Sequence, residues 1–315
     1  IQDVAENALL KTLEKNQADH GCAVVMEVKT GKIKAIVNIG LKADGSYDEI
    51  KNYAVWEATE PGSTFKAASM LALLEEGVVS KNDKVDLGDG TVKFYDFTMK
   101  DAHAPAPGEE VVTVQQVIEK SSNVGIAKLA DGYFSHQPTA FYNHLEKFGL
   151  LKLTGIEVKG EQAPVINSPS EWSGITIPWM STGYELKMTP LQILSFYNAI
   201  ANDGIRMKPY IVDHISEYDR VIEQFEPQVA SGRLASLPAI EQLQEMLVGV
   251  VENGTARSLK NESYSIAGKT GTSKIADENT NYNDRVYQSS FVGYFPADKP
   301  IYSCIVVVNA PSQGI

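Results

Sequence analysis

The sequence predicts an α/β (α+β) layered fold, with one sheet built from both chain ends and a helical region inserted between them. Three observations lead there. Strand-like runs rich in β-formers lie near the start (21–28 and 32–39) and near the end (264–272, 288–295 and 301–309). The stretch from about 78 to 251 carries helical spacing and capping signals instead. The chain has 315 residues, 43% hydrophobic and 22% charged, enough for one large domain or two ordinary ones with a core of their own.

Ile1 to about Gln17 places Ile1, Val4, Ala5, Ala8, Leu9 and Leu13 on one helical face. Lys29-Thr30-Gly31 is the hairpin turn between the first two strands. Pro61-Gly62 breaks the chain, and a helix runs from Ser63 to Glu76, closed by Gly77. Thr113-Val-Gln-Gln116 has the form of a capping box. Thr189-Pro190 opens a helix that ends near Gly204, and a third covers Leu237 to Glu252, stopped by Asn253-Gly254. Ala297-Asp-Lys-Pro300 turns the chain between the last two strands. The expected division is a sheet part over about 1–76 and 255–315, and a helical part over about 77–254. A cleft between the two is the natural place for a site.

The formal net charge of −12 has the wrong sign for binding nucleic acid or an anionic membrane. Cys22 and Cys304 form no C-x-x-C pair, and each reads as a small core residue rather than half of a disulfide. The five histidines are scattered, so no metal site and no cofactor is expected. No apolar run is long enough to span a bilayer and no signal peptide opens the chain, which reads as an excised piece of something longer.

Three short signals fit one chemistry. Ser63-Thr-Phe-Lys66 is the only S-x-x-K in the chain. It puts a hydroxyl at a helix start and an amine about one turn on, on the same face. Serine is a weak nucleophile without a base, and a lysine serves as one if desolvation or a neighbouring cation lowers its pKa. The N–H groups at the helix start, that of Ser63 included, can receive an oxyanion. Alone, the motif is more often an N-cap serine with a surface lysine. Ser121-Ser122-Asn123 interrupts a helical pattern; its hydroxyl could relay a proton and its amide could hold both a lysine and a substrate carbonyl. Ser80-Lys81-Asn82 has the same form and reads as plain loop. Lys269-Thr270-Gly271-Thr272 lies on a late strand. There Lys269 can hold a carboxylate, the threonines add hydroxyls, Gly271 lets a ligand lie close, and the Thr272 N–H could be a second oxyanion donor. Lys29-Thr30-Gly31 is its decoy.

The order of the three motifs is more specific than any one of them: S-x-x-K, then S-x-N, then K-T-G. With them, Pro61-Gly-Ser-Thr-Phe-Lys66, Lys120-Ser-Ser-Asn-Val-Gly-Ile-Ala127, Met188-Thr-Pro-Leu-Gln192, Ala199-Ile-Ala-Asn-Asp-Gly204, Gly254-Thr-Ala256 and Ala267-Gly-Lys-Thr-Gly-Thr272 resemble the transpeptidase domain of penicillin-binding proteins. So does the opening hairpin, Val24-Val-Met-Glu-Val-Lys-Thr-Gly31. The resemblance covers essentially the whole chain. It is nearest to the monofunctional (class B) enzymes and leans, on Ser122-Asn123 and the Val-Gly-Ile-Ala that follows, toward the division-type branch.

The resemblance implies a five-stranded antiparallel sheet flanked by helices, with an all-helical subdomain. It implies peptidoglycan D,D-transpeptidation. Ser63 attacks the penultimate D-Ala of a stem peptide, with Lys66 as base, Ser121 as relay and Asn123 orienting Lys66. Lys269, Thr270, Gly271 and Thr272 form the substrate strand, its lysine and threonines holding the terminal carboxylate. β-Lactam antibiotics would stall at the acyl stage. It further implies an extracytoplasmic location at the bacterial inner membrane, through an N-terminal anchor, and division or elongation partners. Both would involve parts missing here, as would a last helix packed on the sheet. Glu185 departs from the family, where many relatives carry glycine after Gly183-Tyr184. A D,D-carboxypeptidase or a non-turnover β-lactam sensor shares the acylation residues. A class A β-lactamase would need a deacylating glutamate, and Glu171 in Glu171-Trp-Ser-Gly174 does not fit that pattern.

Overall fold

In the computed structural model, which describes residues 1–274 and 287–311, helix α1 (Gln2–Asn16) leads into strands β1 (His20–Glu27), β2 (Ile33–Leu41) and the two-residue β3 (Tyr47–Asp48). After a single helical turn at Tyr53–Trp56 and a 3₁₀ turn at Gly62–Phe65 come α2 (Lys66–Glu75), α3 (Val114–Glu119), α4 (Asn123–Phe134) and α5 (Pro138–Lys147). Helices α6 (Thr176–Ser181), α7 (Pro190–Ala201) and α8 (Leu237–Glu252) follow, and β4 (Ala267–Lys274), β5 (Tyr287–Phe295) and β6 (Tyr302–Asn309) complete the main sheet.

The sheet order is β4-β5-β6-β1-β2-β3, antiparallel throughout. The two chain ends meet where β1 pairs with β6, from His20 opposite Asn309 to Glu27 opposite Tyr302. The sheet has six strands, not five, because Tyr47 and Asp48 add a short edge beside Leu41 and Gly40. Alternation along the strands supplies two cores. Cys22, Val24, Met26, Ile305 and Val307 face the main core, whereas Ala23, Val37, Ile39 and Val308 pack with Leu9 and Leu13 of α1. Cys22 and Cys304 are free thiols; they sit opposite Val307 and Val25, out of register with each other.

The middle of the chain is less purely helical than its spacing predicts. Among the described residues, five two-stranded ribbons lie outside the main sheet, among them Thr91–Phe94 with Phe97–Lys100 and His214–Glu217 with Arg220–Gln224. Their strands run two to five residues, too short for a clear alternation signal. The capping box at Thr113 forms, and Thr189 caps its helix in the same way. Thr113 accepts from the Gln116 N–H at 3.0 Å, and Thr189 from the Gln192 N–H at 3.3 Å. Each such cap stabilises its helix by about 1 kcal/mol. The decoys also resolve. Lys29-Thr30-Gly31 is the β1–β2 turn with Gly31 at φ 78°, and Ser80-Lys81-Asn82 is a loop whose Lys81 pairs with Glu245.

Helix α7 bolts this region to the sheet. Its Asn198 donates to the Val28 carbonyl at 3.1 Å and accepts from Ser303 Oγ at 2.7 Å, and its Tyr197 hydroxyl donates to the Thr64 carbonyl at 2.7 Å. The segment before α2 is held at Gly62, whose N–H donates to the Gly183 carbonyl at 3.1 Å. A side chain at Gly183, at φ 92°, would put its Cβ 2.0 Å from the Gly62 oxygen. Gly183→Ala is therefore expected to destabilise the protein by at least about 2 kcal/mol in urea unfolding.

Candidate active site

Ser63 lies on the 3₁₀ turn, and Lys66, three residues on, caps that turn and is the first residue of α2. Three residues per turn eclipse positions i and i+3, so the amine stands directly over the hydroxyl. Lys66 Nζ donates to Ser63 Oγ at 3.0 Å. The Ser63 N–H belongs to the first turn of this helix, where backbone donors lack an intrahelical partner. Gly62 makes the entry possible: at φ 54°, any Cβ there would sit 2.7 Å from the Thr272 carbonyl.

Ser121 and Asn123 belong to a joint between two helices. Ser121 N–H donates to the Ile118 carbonyl at 3.1 Å and Ser122 N–H to the Val117 carbonyl at 2.9 Å, closing α3 in a Schellman pattern. That pattern wants glycine in the left-handed conformation, and Ser121 occupies it at φ 57°. Ser122 then caps α4 by accepting from the Gly125 N–H at 2.9 Å. The strained backbone turns both oxygens of Ser121 onto the lysine. Lys66 Nζ donates to the Ser121 carbonyl at 2.6 Å and lies 3.2 Å from its Oγ. It donates also to Asn123 Oδ1 at 2.6 Å. The Asn123 amide faces this way because its Nδ2 donates to the Lys100 carbonyl at 2.9 Å.

Lys269 arrives from the sheet edge with its side chain turned inward. Its Nζ donates to Ser121 Oγ at 2.8 Å and to the Thr270 carbonyl at 3.1 Å, and both it and Lys66 are 0% exposed. The groups toward solvent are Thr270, half-buried, and Thr272, exposed. Thr270 Oγ1 shares a 2.7 Å hydrogen bond with Thr255 Oγ1 of the Gly254-Thr-Ala256 turn. The missing Cβ of Gly271 would meet Ser290 Oγ at 2.5 Å and Thr64 Cγ2 at 2.8 Å, so its smallness admits the Ser63 segment against β4.

Burial drives the electrostatics. It pushes the Lys66 amine down from 10.5 to about 7, opposed by the charge of Asp101. Lys269 is held well below its ordinary value by burial and then by the charge of Lys66. Two ammonium groups sharing one hydroxyl would repel by about 3 kcal/mol at an effective dielectric near 20. A neutral Lys66 spends its two N–H bonds on the two shortest acceptors, the Ser121 carbonyl and Asn123 Oδ1. Its lone pair is then left for the Ser63 hydroxyl. That is the geometry a general base and a nucleophile require of each other.

Asp101, Thr255 and Glu60 also shape the site, and of the three only Thr255 lies in a motif, Gly254-Thr-Ala256. Glu60, raised by burial, accepts at 3.1 Å from the N–H of Glu185, which sits in the left-handed region at φ 60°. The departure from glycine at Glu185 thus keeps a glycine-like backbone. Glu171 is exposed and caps a 3₁₀ turn with Ser168. Among the described residues, no group of three or more His, Cys, Asp or Glu could hold a metal ion, and no helix is long and apolar enough to cross a membrane.

Residues 21–314 match the family described as the penicillin binding protein transpeptidase domain. The chain belongs to that family. It is 31% identical over 333 residues to penicillin-binding protein PbpB of Mycobacterium tuberculosis, covering 100% of this chain and 47% of that protein. It is 28% identical to the peptidoglycan D,D-transpeptidase FtsI of Escherichia coli K12, covering 100% and 51%. Among solved structures, penicillin binding protein 3 of M. tuberculosis complexed with aztreonam superposes with a TM-score of 0.87 at 29% identity, over 99% of this chain and 71% of that one. The apo TP domain of Burkholderia pseudomallei penicillin-binding protein 3 gives 0.85 at 27% identity, over 100% and 87%. The chain spans about half the length of the curated relatives it matches.

Within this family site, Ser121→Gly and Ser121→Ala separate backbone strain from hydroxyl chemistry. Both variants lose the hydroxyl that bridges the lysines. The glycine variant is expected to be about 1 kcal/mol more stable than the alanine variant in chemical unfolding, because only alanine keeps a Cβ in the left-handed region.

Proposed function

We propose that this domain is a peptidoglycan D,D-transpeptidase that works through a Ser63 acyl-enzyme. The observation that carries the reading is the Lys66 amine, fully buried and hydrogen-bonded to Ser63, Ser121 and Asn123 at once. Lys66 takes the Ser63 proton as Oγ attacks the carbonyl of the penultimate D-Ala. The N–H groups of Ser63 and Thr272 stabilise the oxyanion. The proton passes from Lys66, by way of the Ser121 hydroxyl, to the departing D-Ala amine. An amine of a second stem peptide then attacks the ester, restoring Ser63 and leaving a cross-link. Thr270 and Thr272 receive the terminal carboxylate at the strand edge, while Lys269 supplies positive potential from behind. Asn123, fixed by Lys100, orients Lys66.

β-Lactam antibiotics fit the same site as acylating mimics, in line with the antibiotic-bound state of a similar solved protein. A role in division follows from relatives such as FtsI and PbpB. The full-length protein then acts at the outer face of the cytoplasmic membrane, anchored there and associated with division or elongation proteins through segments beyond this domain.

The test is intact mass after incubation with a fluorescent penicillin. One long-lived adduct is expected on the parent and none on Ser63→Ala; an adduct that survives in Ser63→Ala overturns the assignment. Because Lys66 must be neutral to accept a proton, the acylation rate constant should rise with pH through a midpoint of about 7. A pH-independent rate between about 5.5 and 8.5 would remove Lys66 as the base.

A further inference from the structure

The joint that carries Ser121 and Asn123 is gripped from outside by the end of the ribbon strand Phe97–Lys100. Asp101, the next residue, uses both carboxylate oxygens. Oδ2 accepts from Ser122 Oγ at 2.8 Å, and Oδ1 accepts from the Val124 N–H at 2.9 Å. These are the two neighbours of Asn123, whose own Nδ2 donates to Lys100. Three hydrogen bonds from two consecutive residues therefore fix the one amide that orients Lys66. A carboxylate at a helix N-terminus is ordinarily a cap that adds stability. Here the cap position is already served by the Ser122 side chain, which accepts from Gly125 N–H. Asp101 instead restrains that cap from behind.

The charge matters as well as the bonds. Around Lys66 the ionisable neighbours are Lys269, reached through Ser121 Oγ from β4, and Asp101, reached across Ser122–Asn123 from the ribbon. Glu119, also near the joint, turns away, accepting from Gln115 at 2.7 Å and abutting Gly249 of α8. Asp101 itself borders a cavity of about 600 Å³ shared with His103, Glu109 and Lys120, of which Lys120 and Glu109 pair at 2.6 Å. Asp101 is thus the anion that opposes the desolvation of Lys66.

We propose that Asp101 is a positioning residue for acylation, clamping both neighbours of Asn123 while its negative charge faces the Lys66 ammonium. The inference rests on the reading of Ser63 as the acylated nucleophile. It distinguishes two functions of one carboxylate, geometric and electrostatic, and they separate by substitution. Asp101→Asn keeps the size of the side chain and removes the charge. Asp101→Glu keeps the charge and displaces the clamp. Asp101→Ala removes both.

The experiment is the second-order rate constant for acylation by a chromogenic cephalosporin, measured from about pH 5.5 to 9 on the whole domain, with thermal unfolding of each variant alongside. Removing an anion near a lysine lowers the pH at which the lysine becomes neutral. Asp101→Asn should therefore move the acid limb to lower pH by about one unit or more relative to the parent. Asp101→Glu should leave the midpoint in place and lower the plateau, and Asp101→Ala should lower the plateau by up to about 100-fold. If Asp101→Asn does not fold, an unshifted midpoint in Asp101→Glu with a lowered plateau supports the clamp; a parent-like plateau overturns it. An Asp101→Asn profile that matches the parent, with only a lowered melting temperature, reduces Asp101 to an ordinary cap and overturns the inference. A parent that is not acylated at Ser63 would instead overturn the reading beneath it.

Discussion

Two lysines removed from water and joined through one serine hydroxyl are the constraint on which the rest of the site depends. Neither ammonium is comfortable at 0% exposure, and each makes the other less so. The fold holds them there by other means. Lys66 opens α2 directly after a 3₁₀ turn wedged between Gly183 and β4, and Lys269 lies in a strand that pairs residue for residue with β5. Ser121 stands between them in a left-handed conformation that a serine accepts only at a cost. Strain at the joint and desolvation at the lysines are both offset by the large cores above and below the sheet.

The architecture explains why the parts come from such distant stretches of sequence. The sheet brings the two chain ends together, with β1 against β6, and places β4 at the edge beside the 3₁₀ turn. Helix α7 ties the inserted region down through Asn198 and Tyr197, the latter bonded to the segment that carries Ser63. Two close approaches, at Gly183 and Gly271, let three segments converge where any side chain would hold them apart. Such rigidity suits the proposed acyl transfer, in which a base and a nucleophile stay in register while the substrate changes shape.

Much of this was legible in the sequence. The hairpin turn at Lys29-Thr30-Gly31, the capping box at Thr113, the Thr189-Pro190 helix start and the terminal strands all announce themselves through local chemistry. Ser63, Lys66, Ser121, Asn123 and Lys269 do converge at one place. The short ribbons were not legible, since strands of two to five residues carry no reliable period. Nor was the inward turn of Lys269, because a strand sequence fixes alternation and not which partner waits on the buried side. Asp101 had no signal at all. It follows an exposed ribbon in Lys100-Asp-Ala-His-Ala-Pro105, and only its partners Ser122 and Val124 reveal its position. The close packing at Gly271 was not legible either, because it depends on which way an absent Cβ points.

The measurement that bears most directly on the account is NMR titration of the lysine side chains in the intact domain, with the Lys66 signal assigned by its loss in Lys66→Met. The account predicts that Lys66 titrates near pH 7, well below the ordinary lysine value of about 10.5. A Lys66 signal that remains that of an ammonium up to about pH 9 would contradict it, because no neutral amine would then be present to take the proton of Ser63.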